Sequence, residues 1–208
     1  MTGKTKPDSR SENLTEDEIV AAAVRLIRAD GISGLTMRKL SKELGKSHMA
    51  MYYYVSDKDA LLDLVASSAL AGIVVPEASD GSWDTRLRLL IGRIEKQLRA
   101  NPGIGEILLE RILSTDRGVL NATMEILVDA GFDDAEVLMA YATLHTYLFG
   151  RYSVLTTPSP SIDHIESDTV ARVLPRLAAL SGRDFFQFGV DTLIDGLHAR
   201  LERRSDSV

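Results

Sequence analysis

Apolar residues recur at helical spacing along most of the chain, and the first helix begins with a clear signal. Thr15 and Glu18 have the spacing of a capping box, in which each side chain bonds the backbone of the other. Leu14 and Ile19 flank this pair as a hydrophobic staple. The apolar positions that follow share one helical face, and Gly31 predicts a left-handed stop.

The next apolar positions predict two very short helices, over 37–44 and 48–53, joined by a tight turn at Gly45. Thr36 and Ser47 are the predicted caps. Helices this short are unstable alone, so they must be braced by their neighbours.

Those neighbours are the first helix and a longer one predicted from about residue 57 to 72. Residues 14–60 are therefore predicted to form one compact three-helix domain. The polar, aperiodic residues 1–13 before it are predicted to be a disordered arm.

Beyond a joint at 73–83, the pattern remains helical through residues 61–208, the predicted second domain. The segment 134–156 is apolar nearly all round, which is typical of a helix buried on more than one side. The other helices are predicted at about 87–98, 104–112, 119–131, 175–180 and 184–204, with a loop over 157–168. No strand-like alternation occurs, so the predicted fold class is all-α.

Composition excludes several classes of protein. The chain is 45% hydrophobic and 26% charged, as in ordinary globular proteins, and it has no cysteine, which excludes disulfides, thiolate zinc sites and cysteine nucleophiles. No apolar run is long enough for a membrane span and the N-terminus is polar, so we expect a cytoplasmic protein. No nucleophile elbow, zinc motif, phosphate loop or dinucleotide fingerprint occurs, so we expect no enzyme activity, metal or cofactor.

Charge is distributed unevenly. The net charge is −6, yet the segment 36–58 holds five basic residues against two acidic ones. A basic patch near one end of an acidic chain is typical of a nucleic-acid contact.

The segment 36–58 has the pattern of a helix-turn-helix, whose second helix enters a major groove. Tyr52, Tyr53 and Tyr54 are unusual on a short solvated helix, where phenols can donate to phosphates. The alternative from the residues alone is a helical hairpin whose tyrosines are wedged against the core.

Residues 35–63 closely resemble the DNA-binding region of TetR-family transcriptional regulators, and the tetracycline repressors are the nearest form. Segments 83–84, 98–102, 129–131, 188–191 and 195–197 resemble the C-terminal core of that branch. The resemblance implies a symmetric all-helical dimer with an N-terminal helix-turn-helix and a C-terminal ligand-binding and dimerisation core.

The resemblance also implies which side chains contact DNA. Bases would be contacted from 47–50, and phosphates or backbone by the others, with Arg38 reaching either. The predicted DNA-binding residues are Thr36, Arg38, Lys46, Ser47, His48, Met49, Ala50, Tyr52, Tyr53 and Lys58. Lys46, Met49, Met51 and Tyr54 depart from the tetracycline-repressor pattern, and His48 is equally well explained as a solvated histidine.

Aromatic residues of the core are candidates for an effector cavity, although an aromatic stripe is more often simply core. The predicted ligand-binding residues are Trp83, Tyr141, His145, Phe149, Tyr152 and Phe186. Tetracycline repressors hold a magnesium–drug chelate through a histidine near the end of the first core helix, where this chain reads Arg99-Ala100-Asn101-Pro102, so tetracycline itself is not expected.

For the dimer, we expect helices 134–156 and 184–204 to pair, since Gly189, Thr192 and Gly196 let helices approach closely. The alternative is that these residues only accommodate the chain's own core. The predicted function is a ligand-responsive repressor that binds palindromic operator DNA as a homodimer and is released by a small apolar effector. The alternative function is a helical protein-interaction module without DNA binding.

Overall fold

The structure, a computed structural model, describes residues 14–112, 116–156 and 168–206, and all regular secondary structure in these ranges is helical. The predicted all-α class is confirmed. The helices are α1 Glu16–Gly34, α2 Met37–Glu43, α3 His48–Met51, α4 Lys58–Leu70, α5 Trp83–Ala100, α6 Ile104–Glu110, α7 Arg117–Asp129, α8 Asp134–Thr156, α9 Asp168–Val173 and α10 Gly182–Ser205. Two 3₁₀ helices cover Ala78–Asp80 and Leu174–Ala179. The predicted arm 1–13 and all but the last residue of the predicted loop 157–168 lie outside the described residues.

The chain divides into two compact units, one ending at Val65 and the other beginning at Ala66. The first unit contains the helix-turn-helix and the second contains α5 to α10. None of the described helices is both long enough and apolar enough to cross a membrane.

The first unit begins with the predicted capping box. The Thr15 backbone N–H donates to Glu18 at 2.8 Å, and the Glu18 N–H donates to the Thr15 hydroxyl at 3.2 Å. These bonds satisfy N–H groups that the first turn leaves without helical partners. Gly31 has φ of 71° and interrupts α1, as its left-handed conformation requires. Ile19, Ala22, Ala23 and Ile27 form the buried stripe of this helix.

The second unit is built around α8. The apolar face of α5 is buried. Helix α6 packs closely on α8 at Gly105. A Cβ atom added to Gly105 would lie 2.8 Å from the Cβ of Tyr152, so only glycine permits this approach. Asp116 caps the start of α7, and its side chain accepts from the N–H groups of Gly118 and Val119.

The last helix begins earlier than its sequence pattern predicts. Ser181 is the cap, and Asp184 occupies the third helical position, from which it accepts the Ser181 N–H at 2.7 Å. The helix predicted near 175–180 is instead the 3₁₀ helix Leu174–Ala179, with Pro175 in its first turn.

α3 ends at Met51 because the N–H groups of Tyr53 and Tyr54 bond to carbonyl groups three residues back.

Candidate functional site

The turn between α2 and α3 is fixed by backbone bonds and by two caps. Gly45 has φ of 62°, and the N–H of Lys46 donates to the Ser41 carbonyl at 3.0 Å. The hydroxyls of Thr36 and Ser47 accept from the N–H groups at the third position of their helices, at 3.2 and 3.1 Å. Each cap uses a lone pair and leaves the hydroxyl proton available for a partner.

Two apolar side chains hold α3 against the unit while the opposite face stays in solvent. Met51 is fully buried and Val55 is 4% exposed. By contrast, Met49 is 74% exposed and Tyr53 is 89% exposed. The His48 ring meets the Tyr52 ring edge-on with centroids 5.1 Å apart, which fixes the two side chains relative to each other. Large apolar side chains cluster in water here, and none of the described segments of this unit covers them.

The predicted DNA-binding residues lie on one short stretch of α2, the turn and α3, apart from Lys58 at the start of α4. Lys58 donates from Nζ to the Ile32 carbonyl at 3.0 Å, so it also braces the end of α1. The exposed members of the set are Thr36, Arg38, Ser47, His48, Met49, Tyr52 and Tyr53, and the half-buried members are Lys46, Ala50 and Lys58.

Neighbouring basic residues are already paired within the unit. Lys39 binds Asp30 at 2.7 Å, and Arg25 binds Glu43 at 3.0 Å. These exposed pairs orient α1 and α2 and leave Arg38 as an exposed guanidinium at the start of α2.

A second candidate site is a small cavity inside the second unit. Its volume is about 30 Å³, close to that of one water molecule. Its lining consists of Leu70, Leu87, Leu90, Ile91, Ile94, Val119, Thr123, Tyr141, Leu144, His145, Leu148 and Phe149. The structure thus brings together three of the six predicted ligand residues, namely Tyr141, His145 and Phe149.

His145 is the most unusual group in this lining. It is 3% exposed, and its Nε2 atom has no hydrogen-bond partner among the described residues. Burial lowers the pKa of His145 to about 4, and a hydrogen bond to the Leu108 backbone opposes this shift only in part. The ring is therefore neutral at pH 7.

The other three predicted ligand residues lie away from this cavity. Trp83 packs against Phe132 and His198, with ring centroids 6.1 and 4.5 Å away. Phe186 lies under the Arg151 guanidinium at 4.9 Å from its ring centroid. Tyr152 belongs to a charged cluster described next.

This cluster, which sequence reasoning missed, is centred on Glu95 and comprises Glu95, Arg99, Arg151 and Tyr152. The Glu95 carboxylate is 6% exposed and accepts from Arg99 at 2.7 Å, from Arg151 at 2.8 Å and from the Tyr152 hydroxyl at 2.5 Å. Burial raises the pKa of Glu95, but these three hydrogen bonds outweigh burial and hold its pKa below the ordinary value. Burial and the Glu95 carboxylate raise the pKa of Tyr152. The cluster joins α5 to α8 and, through an Arg151 bond to the Gly182 carbonyl, to α10.

The outer surfaces of α8 and α10 carry several apolar side chains that the unit does not bury. Leu138 and Met139 on α8 are more than half exposed, and Phe188 on α10 is 76% exposed. A groove of about 260 Å³ between these helices is lined by residues that include Met139 and Gly196.

The two glycines of the predicted dimer surface differ. A Cβ on Gly189 would collide with the Tyr147 side chain, so this glycine accommodates the chain's own core. A Cβ on Gly196 would meet nothing within 4 Å. Across the described ranges, no group of three or more histidine, aspartate or glutamate side chains is placed to hold a metal ion.

Comparison with known proteins gives these two sites a family context. Residues 19–65 match the family model of the bacterial regulatory proteins of the tetR family. An HTH-type transcriptional regulator of Saccharopolyspora erythraea is 31% identical over 153 residues, which cover 71% of this chain. The chain spans 65% of the length of that relative. The tetracycline repressor protein class D of Escherichia coli is 26% identical over 199 residues, covering 90% of this chain and 91% of that protein.

Among solved structures, ActR of Streptomyces coelicolor without ligand superposes with a TM-score of 0.77 at 23% identity, covering 92% of this chain and 98% of ActR. ActR in complex with (S)-DNPA superposes with a TM-score of 0.73 at 24% identity, covering 89% and 98%. The chain has the same fold, with a helix-turn-helix followed by a helical core. The resemblance seen in the sequence is confirmed: residues 19–65 carry the DNA-binding domain of the tetR family of bacterial regulatory proteins, and most of the chain is similar to a TetR-family repressor.

Proposed function

We propose that this protein is a ligand-responsive repressor that binds palindromic operator DNA as a homodimer and leaves it when a small, largely apolar effector enters the core. TetR-family regulators are transcription factors rather than enzymes. The observation that carries the proposal is the exposed face of α3, where Met49 and Tyr53 stand in solvent while Met51 and Val55 anchor the helix from behind. We place the protein in the cytoplasm, where bacterial DNA is accessible to it.

Each predicted DNA-binding residue has chemistry that suits its role. The free hydroxyl proton of Thr36, the phenols of Tyr52 and Tyr53, and the charges of Lys46 and Lys58 suit phosphate oxygens, whereas the hydroxyl of Ser47 suits a base edge. His48, Met49 and Ala50 lie at the start of α3, the part of a recognition helix that reads base edges. The Met49 side chain suits the methyl group of thymine, and Arg38 suits either guanine or phosphate.

A second copy of the chain is the proposed cover for the apolar surface of α8 and α10. Exposed patches of this kind mark association surfaces, because leaving them in water forgoes hydrophobic free energy. A two-fold axis through this surface would bring α8 and α10 of both copies together in a four-helix interface and present two recognition helices to an operator with matching symmetry. Half-sites about 34–36 Å apart are then expected.

The effector is proposed to enter the cavity around His145. Its present volume of about 30 Å³ is far below the roughly 300 Å³ that a drug-sized ligand needs. A ligand must therefore select an expanded core, and any effect on DNA binding comes from its preference for that state. The names of the similar proteins support a small-molecule response, since one is a tetracycline repressor and another was solved with (S)-DNPA. By linkage, operator DNA must weaken effector binding by the same factor.

The first test is selection of operator sequences by the purified full chain from a random library of duplex DNA, followed by affinity measurements at 50 and 200 mM salt. We expect one palindromic sequence to be enriched, with an affinity that falls by roughly 10³-fold or more over this range if about six phosphates are contacted. Arg38→Ala should weaken binding severely, whereas Arg183→Ala, an exposed arginine of α10, is the matched control and should change little.

Several outcomes would contradict the proposal. Enrichment of a non-repeated sequence would oppose two-fold binding. No DNA affinity even at 50 mM salt would overturn the repressor function and favour a protein-interaction module. Loss of binding to every sequence in equal measure after His48→Ala, Met49→Ala and Tyr53→Phe would contradict the separation of base contacts from phosphate contacts.

A further inference from the structure

The polar groups around the core cavity have already used their protons inside the protein. The Thr123 hydroxyl donates to the Val119 carbonyl at 2.8 Å, and the Tyr141 hydroxyl donates to the Ile112 carbonyl at 2.6 Å. Breaking either bond would leave a backbone carbonyl oxygen without its partner, at a cost in free energy. Neither hydroxyl is therefore poised to donate to a ligand.

His145, by contrast, can accept a hydrogen bond from a ligand. A hydrogen bond to the Leu108 backbone raises the histidine pKa, as expected when the ring donates to a carbonyl. Because Nε2 makes no hydrogen bond within the described residues, we assign this bond to Nδ1. A neutral imidazole that donates through Nδ1 carries a lone pair on Nε2. That atom is buried, and no group in the described part of the chain bonds to it. The cavity lining thus presents a buried acceptor that awaits a donor.

The rest of the cavity lining indicates the charge and shape of the ligand that would fit. None of the described residues around the cavity is charged, so an ionised ligand would lose its hydration without a counter-charge. The rings of Phe149 and Tyr141 lie 4.7 and 5.8 Å from the His145 ring, between centroids. These spacings are those of aromatic pairs, and a flat ring inserted beside them finds edges and faces to pack on.

We propose that the effector is a neutral aromatic molecule of the phenol class whose hydroxyl group donates a hydrogen bond to Nε2 of His145. This inference deepens the proposed function and rests on it, since it names the chemical class of ligand for the same cavity. A carboxylate, a quaternary amine or a purely hydrocarbon ring fits the lining less well, because each leaves either a charge or the His145 acceptor without a partner.

The test compares two probes of nearly equal size, 2-naphthol and 2-methylnaphthalene, by titration into the full chain at pH 7. The ratio of the two Kd values is measured in the wild type and again in His145→Phe. Comparing these two ratios cancels the hydration free energy of each probe, which is the same for both proteins. We expect the preference for 2-naphthol to fall about five- to tenfold in His145→Phe, the range for one lost hydrogen bond.

Two controls separate the hydrogen bond from packing. His145→Gln offers a carbonyl oxygen and should retain most of the preference. Phe149→Leu should weaken both probes by a similar factor and leave their ratio unchanged. In the wild type, the ¹⁵N resonance of His145 Nε2 should shift on addition of 2-naphthol and not on addition of 2-methylnaphthalene, and this measurement needs no variant to fold.

An unchanged ratio in His145→Phe together with a static Nε2 resonance would overturn the inference, as would failure of the wild type to bind 2-naphthol up to its solubility limit. The proposed function fails separately. If the protein binds DNA selectively but its probe preference does not depend on His145, only the proposed ligand class is wrong. If the probe preference depends on His145 but the protein does not bind DNA selectively, the proposed repressor function is wrong.

Discussion

The tyrosines of the helix-turn-helix are exposed, whereas those of α8 have their hydroxyl groups bonded within the chain. Tyr53 is 89% exposed, while Tyr141 is 7% exposed and donates to the Ile112 carbonyl. Tyr152 donates to the Glu95 carboxylate. The same residue type is therefore exposed to an external partner in one unit and bonded internally in the other. Exposure together with hydroxyl bonding tells these two uses apart, and sequence does not.

The largest effect is expected where an internal polar partner is removed. Glu95→Ala should lower the free energy of unfolding by about 3 kcal/mol or more, because Arg151 and Tyr152 lose a buried carboxylate. The measurement is urea unfolding at one fixed protein concentration, since association adds to apparent stability. Glu43→Ala, which breaks an exposed pair with Arg25, is the matched control and should cost less than about 1 kcal/mol. Similar losses in the two variants would show that the Glu95 cluster is not a buried network.

The next effect sharpens the comparison between tyrosines directly. Tyr152→Phe keeps the ring and removes a hydrogen bond to a charged acceptor, so stability should fall by about 2 kcal/mol. Tyr53→Phe should leave the unfolding free energy within about 0.5 kcal/mol, since its hydroxyl is in solvent. Equal destabilisation by the two substitutions would erase the distinction drawn between the units.

A pH effect of similar size is expected from the core histidine. The pKa of His145 is lowered from 6.5 to about 4, so the unfolded chain binds the proton more tightly than the folded chain. Stability from this group is present above pH 6.5 and is lost as the pH falls toward 4. Between pH 7 and pH 5 the loss is about 2 kcal/mol. Subtracting the pH profile of His145→Phe from that of the wild type isolates this contribution, and a flat difference would contradict the lowered pKa.

The smallest effect concerns the outward-facing phenols. Tyr53→Phe should weaken DNA binding by about 1 kcal/mol for each half-site, roughly fivefold, because one phosphate hydrogen bond is lost. The loss should be the same for the selected operator and for a mismatched one. Lys96→Ala, an exposed lysine of α5, serves as the control and should change neither affinity. A loss confined to the selected operator would reassign Tyr53 to base reading.

Local patterns were sufficient for most of the helices and for the helix-turn-helix segment. Thr15, Thr36 and Ser47 act as caps in the structure as their spacing predicts, because capping depends on residues only three positions apart. The final helix was predicted to start at Asp184 rather than after Ser181, since both residues suit a cap and only the geometry distinguishes the first and third positions.

The core cavity was predictable only in part. Tyr141, His145 and Phe149 recur every four residues on one face of α8, and they do share a cavity. Trp83 and Phe186 belong to other helices, whose facing partners depend on how whole helices pack, and periodicity carries no information on that. One usable signal was overlooked. Glu95 lies four residues after Ile91 on the apolar face of α5, and a carboxylate in that position calls for buried cationic partners.

If an effector enters the core cavity as proposed, the small volume of that cavity sets the effector concentration at which the protein responds. A core that holds only about 30 Å³ of free space has no vacant pocket to maintain, so any ligand must supply the free energy that opens it. The response threshold then depends on the ease of opening as well as on the contacts made with the ligand. Trimming a lining residue such as Leu90, which touches no proposed polar group, would lower that threshold without altering recognition at His145. Sensitivity and chemical selectivity are thus adjustable at different residues of the same core.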